Sequence, residues 1–271
     1  MYTRGQRGLK TFFCVFDYIF FVNLSHSIYF LFFFIMVVIR ILIMVLFIFF
    51  SCVFGLLLSI VRPFHPNNVH VIAGWFGSMA KMLGVKLVLK RHPDALNTGP
   101  AVYLSNHQNN YDLFTVSAMV PENCVSLGKK SLKWIPFFGQ LYWLSGNILI
   151  DRANRSKAAG TISKAAEKIK QKGLSIWVFP EGTRSYGRGL LPFKTGAFHT
   201  ALSADVPIVP VCMSTTDKTI KLNRWDNGTI YIEMLAPISL DKKVGAREQA
   251  TQVHSIMAAK ITELDAQARD K

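Results

Sequence analysis

Two apolar runs open the chain. Residues 18–39 carry no charge, although Asn23, Ser25, His26 and Ser27 interrupt their hydrophobicity. Residues 41–61 are 21 consecutive uncharged residues. As a helix the second run spans ~32 Å, enough for a hydrocarbon core of ~30 Å. Arg40 alone separates the runs. One residue cannot turn a chain between two spanning helices. The pattern therefore predicts a single helix, a hairpin dipping into one leaflet, or two elements broken near Asn23–Ser27 or at Gly55. Arg4, Arg7 and Lys10 ahead of apolar sequence imitate a signal peptide. The stretch is too long for one, and no small-residue cleavage site precedes the second run, so a retained anchor is expected. Met36 is a second candidate start, because residues 36–61 alone make a compact anchor. The plainer reading takes it as one of nine methionines in an apolar helix.

Arg62-Pro63 and Pro66-Asn67-Asn68 end this segment. Residues 71–84 have helical character with Trp75, Phe76 and Met79, as in an interfacial helix. Strands are expected at Val85–Leu89, Ala101–Leu104, Cys124–Leu127, Ile148–Ile150, Ser175–Phe179, Pro207–Met213 and Thr229–Leu235. Helices are expected at Tyr111–Met119, Arg155–Lys172, Gly196–Ser203 and Ala246–Arg269, with a turn at Pro93–Pro100. Alternating strands and helices predict an α/β fold with a mixed, largely parallel sheet flanked by helices. The organisation is a membrane-anchoring segment at 1–65, of which 1–35 reads as a start extension, and a globular domain at 66–271.

Charge separates the same two parts. Of 31 basic and 16 acidic residues, residues 1–65 hold five basic ones and the single acid Asp17. The formal net charge is +15, which implies an anionic partner or surface. Thirteen basic and three acidic residues fall between Lys129 and Lys194. The apolar N-terminus favours acidic lipid over nucleic acid, and no helix-turn-helix, zinc-finger or RNP-like signature is present. The cysteines (Cys14, Cys52, Cys124, Cys212) have no CxxC spacing and read as small core residues.

Candidate chemistry lies in two polar segments that follow expected strands. In Ser-Asn-His-Gln-Asn-Asn-Tyr-Asp (105–112), His107 and Asp112 are five apart, ~140° on a regular helix. They meet only if His107 precedes the helix and Asp112 lies in or near its first turn. A His–carboxylate pair is the base of a nucleophilic system. No GxSxG elbow accompanies it, so the nucleophile is expected to be a substrate hydroxyl. A capping Asp beside a surface His gives the same pattern. In Phe-Pro-Glu-Gly-Thr-Arg-Ser (179–185), Pro180 and Gly182 make a turn with exposed donors, and Arg184 offers a forked cation suited to phosphate. Glu181 could orient that arginine or a substrate hydroxyl, and a plain strand exit with a surface ion pair fits equally. Lys129, Lys130 and Lys133 beside Trp134, and Asp151-Arg152 after an apolar run, support an anion site. His65, His70 and His92 are too scattered for an evident metal-ligand set.

Taken together, the segments resemble a known family. Residues 106–112, 146–152 (Gly-Asn-Ile-Leu-Ile-Asp-Arg), 179–185 and 206–211 (Val-Pro-Ile-Val-Pro-Val) match, in order, the four motif blocks of the glycerolipid acyltransferases. The connecting text, especially 128–142 and 187–199, looks like the bacterial lysophosphatidic acid-acylating branch. The resemblance covers about residues 36–265; only 1–35 depart from it. It implies transfer of a fatty acyl group from acyl-CoA or acyl carrier protein to the sn-2 hydroxyl of 1-acyl-sn-glycerol-3-phosphate, giving phosphatidic acid. It implies no cofactor, no metal and no covalent acyl-enzyme. His107 would be the base and Asp112 its orienting carboxylate. Arg184, with Glu181, Gly182 and Thr183, would hold the glycerol phosphate, helped by Arg152, Lys129 and Lys130. The 66–271 domain would be catalytic, on the cytoplasmic side of a bacterial inner membrane, with anionic lipid as partner. The alternatives are a relative acting on another lysolipid or glycerol-3-phosphate, and a non-catalytic protein that binds anionic membranes.

Overall fold

The computed structural model describes residues 4–151 and 154–269. Helix α1 runs from Arg4 to Val61 as one unbroken element. It passes through both expected break points. Gly55 serves a close approach instead of a break: a Cβ there would lie 2.9 Å from the Leu141 side chain. Helix α2 (Asn68–Ser78) follows, continued by a 3₁₀ turn at Met79–Lys81. Its apolar face is turned inward. Val69, Ile72, Ala73 and Phe76 are buried, because this amphipathic helix lies between α1 and the sheet.

The remaining elements are β1 (Lys86–Arg91), α3 (Pro93–Leu96), β2 (Val102–Ser105), β3 (Cys124–Lys129), α4 (Phe138–Leu144), β4 (Ile148–Ile150), α5 (Arg155–Lys172), β5 (Ser175–Val178), α6 (Gly196–Ala204), β6 (Ile208–Met213), β7 (Thr229–Met234) and α7 (Ala246–Arg269). The strands form one seven-stranded sheet in the order β1-β7-β6-β2-β5-β3-β4. Strands β6, β2, β5, β3 and β4 are mutually parallel; β7 runs antiparallel to β6 and pairs in parallel with β1. The central strands β2, β5 and β6 are buried at every residue, as their almost wholly apolar sequence, interrupted only by Ser105 and Ser175 at strand ends, requires of strands covered on both faces. Helices α5, α6 and α7 cover one face, while α2 and the 3₁₀ turns after β2 lie on the other, with α1 and α4 outside them. Cys52, Cys124 and Cys212 are buried free thiols.

The expected helix at Tyr111–Met119 is two 3₁₀ turns, Asn110–Leu113 and Val116–Met119. Thr115 and Ser117 hydroxyls donate to the carbonyls of Tyr111 and Leu113, and Phe114 N–H bonds Tyr111 O at i−3. Hydroxyl side chains competing for the backbone, in a β-branched stretch, favour such short turns over an α-helix. Helix α4 has no counterpart among the expected elements, because its Phe137-Phe138…Trp143 aromatics have no clear period.

Helix α1 is joined to the domain by specific contacts. Met36 is the first residue of α1 with a described side chain that is buried, and Arg40 and Cys52 are buried further along. The Arg40 guanidinium donates to the carbonyls of Leu222 and Arg224 and lies 5.1 Å from the Trp225 ring centre. Phe49 packs edge-on against Phe137, and Phe64 against Trp143. The opposite side of α1, including Phe30, Phe34, Leu42, Phe50, Phe54 and Leu57, is exposed.

Candidate active site

Parallel strands β2, β5, β3 and β4 deliver their carboxyl ends to one edge of the sheet, where open α/β sheets bind ligands. His107 lies two residues beyond β2, in a loop that ends at the first 3₁₀ turn. Its Nδ1–H donates to Asp112 Oδ2 at 2.6 Å. That carboxylate also accepts the backbone N–H groups of Gln108 at 2.7 Å and Asn109 at 3.2 Å, and Asp112 is 3% exposed. The Asn109 side chain closes a capping box with Asp112. The chain thus takes the arrangement the five-residue spacing demanded, with His107 before the turn and Asp112 inside it. The His107 ring stacks on Phe179, centre to centre 4.0 Å at 19°. With Nδ1 occupied as donor, Nε2 carries the lone pair and is the atom able to take a proton.

The amides around His107 form a frame that sequence reasoning did not assign. Asn106 pairs with both backbone groups of Met213 at 2.9 Å. Gln108 donates to Ser214 O and accepts from Thr216 N–H, and Asn109 donates to the Thr216 hydroxyl. These bonds lock the loop to the end of β6. The only signal was a run of side-chain amides directly after a buried strand, each needing a partner.

The second segment leaves β5, the neighbour of β2. Ser185 N–H and Tyr186 N–H donate to the carbonyls of His107 and Gln108 at 2.8 and 2.9 Å. Gly182 turns the chain at φ +72°, where a Cβ would fall 2.8 Å from Lys194 Nζ. Glu181 points inward, its oxygens accepting the backbone N–H groups of His107 and Leu191. Burial, reinforced by the Asp112 charge, pushes the Glu181 carboxyl up to about 7, although the two N–H groups and Arg188 pull it back. Thr183 is exposed. Arg184 reaches Tyr186 Oη at 3.3 Å, and its buried Nε has no hydrogen-bond partner among the described residues. An orphaned charged donor is costly unless an anion meets it.

His107, Asp112, Glu181, Gly182, Thr183 and Arg184 are therefore brought together by adjacent strands. Lys129 ends β3, two strands from β2 or about 10 Å along the sheet. Lys130 follows it and pairs with Asp151 at 3.3 Å. Both lysines line a cavity of about 380 Å³ with Ser131, Lys133, Trp134 and Ile150. Arg152 lies outside the described residues.

Residues 88–214 match the Acyltransferase family. The chain is 52% identical over 222 residues to the 1-acyl-sn-glycerol-3-phosphate acyltransferase of Escherichia coli, covering 81% of this chain and 91% of that protein. The enzyme of the same name from Haemophilus influenzae is 51% identical over 216 residues (79% and 90%), and that of Saccharomyces cerevisiae 34% over 226 residues (80% and 73%). The crystal structure of the 1-acyl-sn-glycerophosphate (LPA) acyltransferase from Thermotoga maritima shares the fold, with a TM-score of 0.69 over 86% of this chain and 95% of that one at 24% identity. With its sheet-edge histidine and carboxylate in place and with this extent of identity, the chain belongs to the 1-acyl-sn-glycerol-3-phosphate acyltransferase family.

Proposed function

We propose that the protein transfers a fatty acyl group from acyl-CoA or acyl carrier protein to the sn-2 hydroxyl of 1-acyl-sn-glycerol-3-phosphate, making phosphatidic acid for phospholipid synthesis. The observation that carries the mechanism is the His107–Asp112 pair at the carboxyl edge of the sheet. His107 Nε2 takes the proton of the sn-2 hydroxyl as its oxygen attacks the thioester carbonyl. Asp112 holds the ring in that tautomer and offsets the imidazolium charge. The tetrahedral intermediate collapses with cleavage of the C–S bond, and the imidazolium returns the proton to the leaving thiolate. Ester and free thiol are the products, and no acyl group passes through the protein. Arg184 meets the acceptor phosphate with its fork, and the Gly182–Thr183 turn brings backbone close to it. Lys129 and Lys130 add positive field along the same edge, and Arg152 is read from its motif block alone as a further cation for the phosphate.

The test is acyl transfer by purified protein at fixed acyl-CoA, with lysophosphatidic acid compared against glycerol-3-phosphate and uncharged lysolipids. Arg184→Lys keeps the charge and loses the bidentate fork. The expected outcome is a raised KM for lysophosphatidic acid with little change in the acyl-donor KM. A change confined to the donor would place the phosphate elsewhere.

The anchor reading extends to location. Residues 1–65 hold the catalytic domain, 66–271, on the cytoplasmic side of the inner membrane. Tyr29–Val61 has a mean hydropathy of 3.2 over its most apolar 18 residues. Its domain-facing side carries Arg40 and Cys52, so the free side of α1 meets lipid beside the exposed Trp134, Phe137, Trp143 and Trp225. The basic surface adds attraction to anionic headgroups. A chain starting at Met36 keeps the Arg40 contacts and residues 41–61, and is expected to stay in the membrane fraction with activity. A chain lacking residues 1–61 is expected to be released largely, its residual binding falling with added salt. Fractionation with activity measured in each fraction checks both; a soluble or inactive Met36 form would assign function to the first apolar run.

A further inference from the structure

Glu181 is 3% exposed, and both of its oxygens are engaged by backbone: His107 N–H at 2.6 Å and Leu191 N–H at 3.0 Å. His107 O in turn accepts Ser185 N–H at 2.8 Å, and Phe179 stacks on the ring. Three of the four contacts that fix His107 therefore come from the segment after β5, and Glu181 supplies the one on its N–H. An outward carboxylate at this place would repel the acceptor phosphate; an inward one escapes that repulsion and spends its charge on two amide donors.

We infer that Glu181 is a positioning residue, which clamps the His107 backbone to the phosphate-binding turn so that base and acceptor hydroxyl share one frame. The inference rests on the reading of His107 as base. A group clamped this way acts on the rate of the chemical step and leaves ground-state binding of either substrate alone. The clamp joins residues 74 apart in the chain and ties the base loop to the anion loop. Retaining a carboxyl here despite burial, which raises it to about 7, is costly and fits a role that needs two acceptors at one point.

The experiment measures kcat and KM for Glu181→Gln and Glu181→Asp in full-length protein, beside His107→Ala. Gln keeps one acceptor but turns an NH₂ toward the second amide; Asp keeps charge but is too short to span both. Glu181→Gln is expected to lose about 10- to 100-fold in kcat, with KM for lysophosphatidic acid and acyl-CoA within about two-fold of native. Asp should recover part of the rate. Folding is checked by melting. Because the folded-state pKa is raised above its ordinary 4.5, the Glu181 contribution to stability is full below that pH and lost as pH rises through about 7. The melting temperature of the Gln variant should accordingly gain on native between pH 5 and 8. Should Gln fail to fold, Asp carries the same kcat-against-KM comparison. A raised lysophosphatidate KM at native kcat would make Glu181 an acceptor ligand and overturn the inference, as would native kcat with native KM. An inert His107→Ala beside a normal Glu181→Gln removes the clamp alone, whereas normal rates in both remove the base.

Discussion

His107→Ala lowers acyl transfer by at least ~10²-fold while the protein stays folded, since general-base assistance contributes ~10²–10⁴. The ring is partly exposed and lies in a loop, so its removal leaves the sheet and its core untouched. The backbone contacts of position 107, to Glu181 and Ser185, survive the substitution. The loss should fall on kcat, with lysophosphatidic acid still bound through its phosphate. Steady-state kinetics on the purified variant, with circular dichroism as the folding control, decide the matter. Near-native turnover in folded protein would defeat the proposed mechanism.

Asp112→Asn should be as severe or worse for catalysis, roughly 10³- to 10⁴-fold by analogy with other His–carboxylate systems, and it should also cost stability. Three donors converge on this carboxylate: His107 Nδ1–H, Gln108 N–H and Asn109 N–H. An amide offers one acceptor oxygen and adds two donors of its own. If its NH₂ faces His107, the imidazole must accept at Nδ1 and carry its proton on Nε2, which is the wrong tautomer for a base. If the oxygen faces His107 instead, it keeps the three donors that Oδ2 accepts, but without the negative charge that strengthens those bonds, and its NH₂ opposes the Asn109 N–H that Oδ1 accepts at 3.3 Å. Melting several degrees below native, together with the collapse in rate, is the expected pair of results. Asp112→Asn with full stability and full activity would reduce the carboxylate to a dispensable cap.

The strands of the sheet were legible because burial writes itself into local sequence. Val102–Ser105, Ser175–Val178 and Ile208–Met213 are apolar apart from the terminal Ser105 and Ser175 and are covered on both faces. In helix α5, Ala165, Ala166 and Ile169 recur at helical spacing on one side and face the core. Where side chains bargain with their own backbone, periodicity misleads. The Tyr111–Met119 segment has a helical pattern, yet Thr115, Ser117 and Asp112 bond neighbouring backbone groups and leave only 3₁₀ turns. The chain at Asn23–Ser27 and Gly55 looked breakable, but neighbouring apolar residues carry the helix through, and Gly55 instead admits Leu141.

By itself the sequence determined the α/β class, the long apolar N-terminal segment, the basic character and the two polar segments that hold the candidate base and anion site. All of these are properties of contiguous residues: their hydrophobicity, charge and order. Only the tertiary structure decided which segments touch. Glu181 reaches His107, Gln108 reaches Thr216 and Arg40 reaches Leu222 because β5 and β6 flank β2 and because α1 lies along the domain. An inward-facing glutamate and an outward-facing one look the same along the chain. The side it faces is set by a backbone N–H contributed from 74 residues away, and strand order, which no local period encodes, is what brings that donor within 2.6 Å.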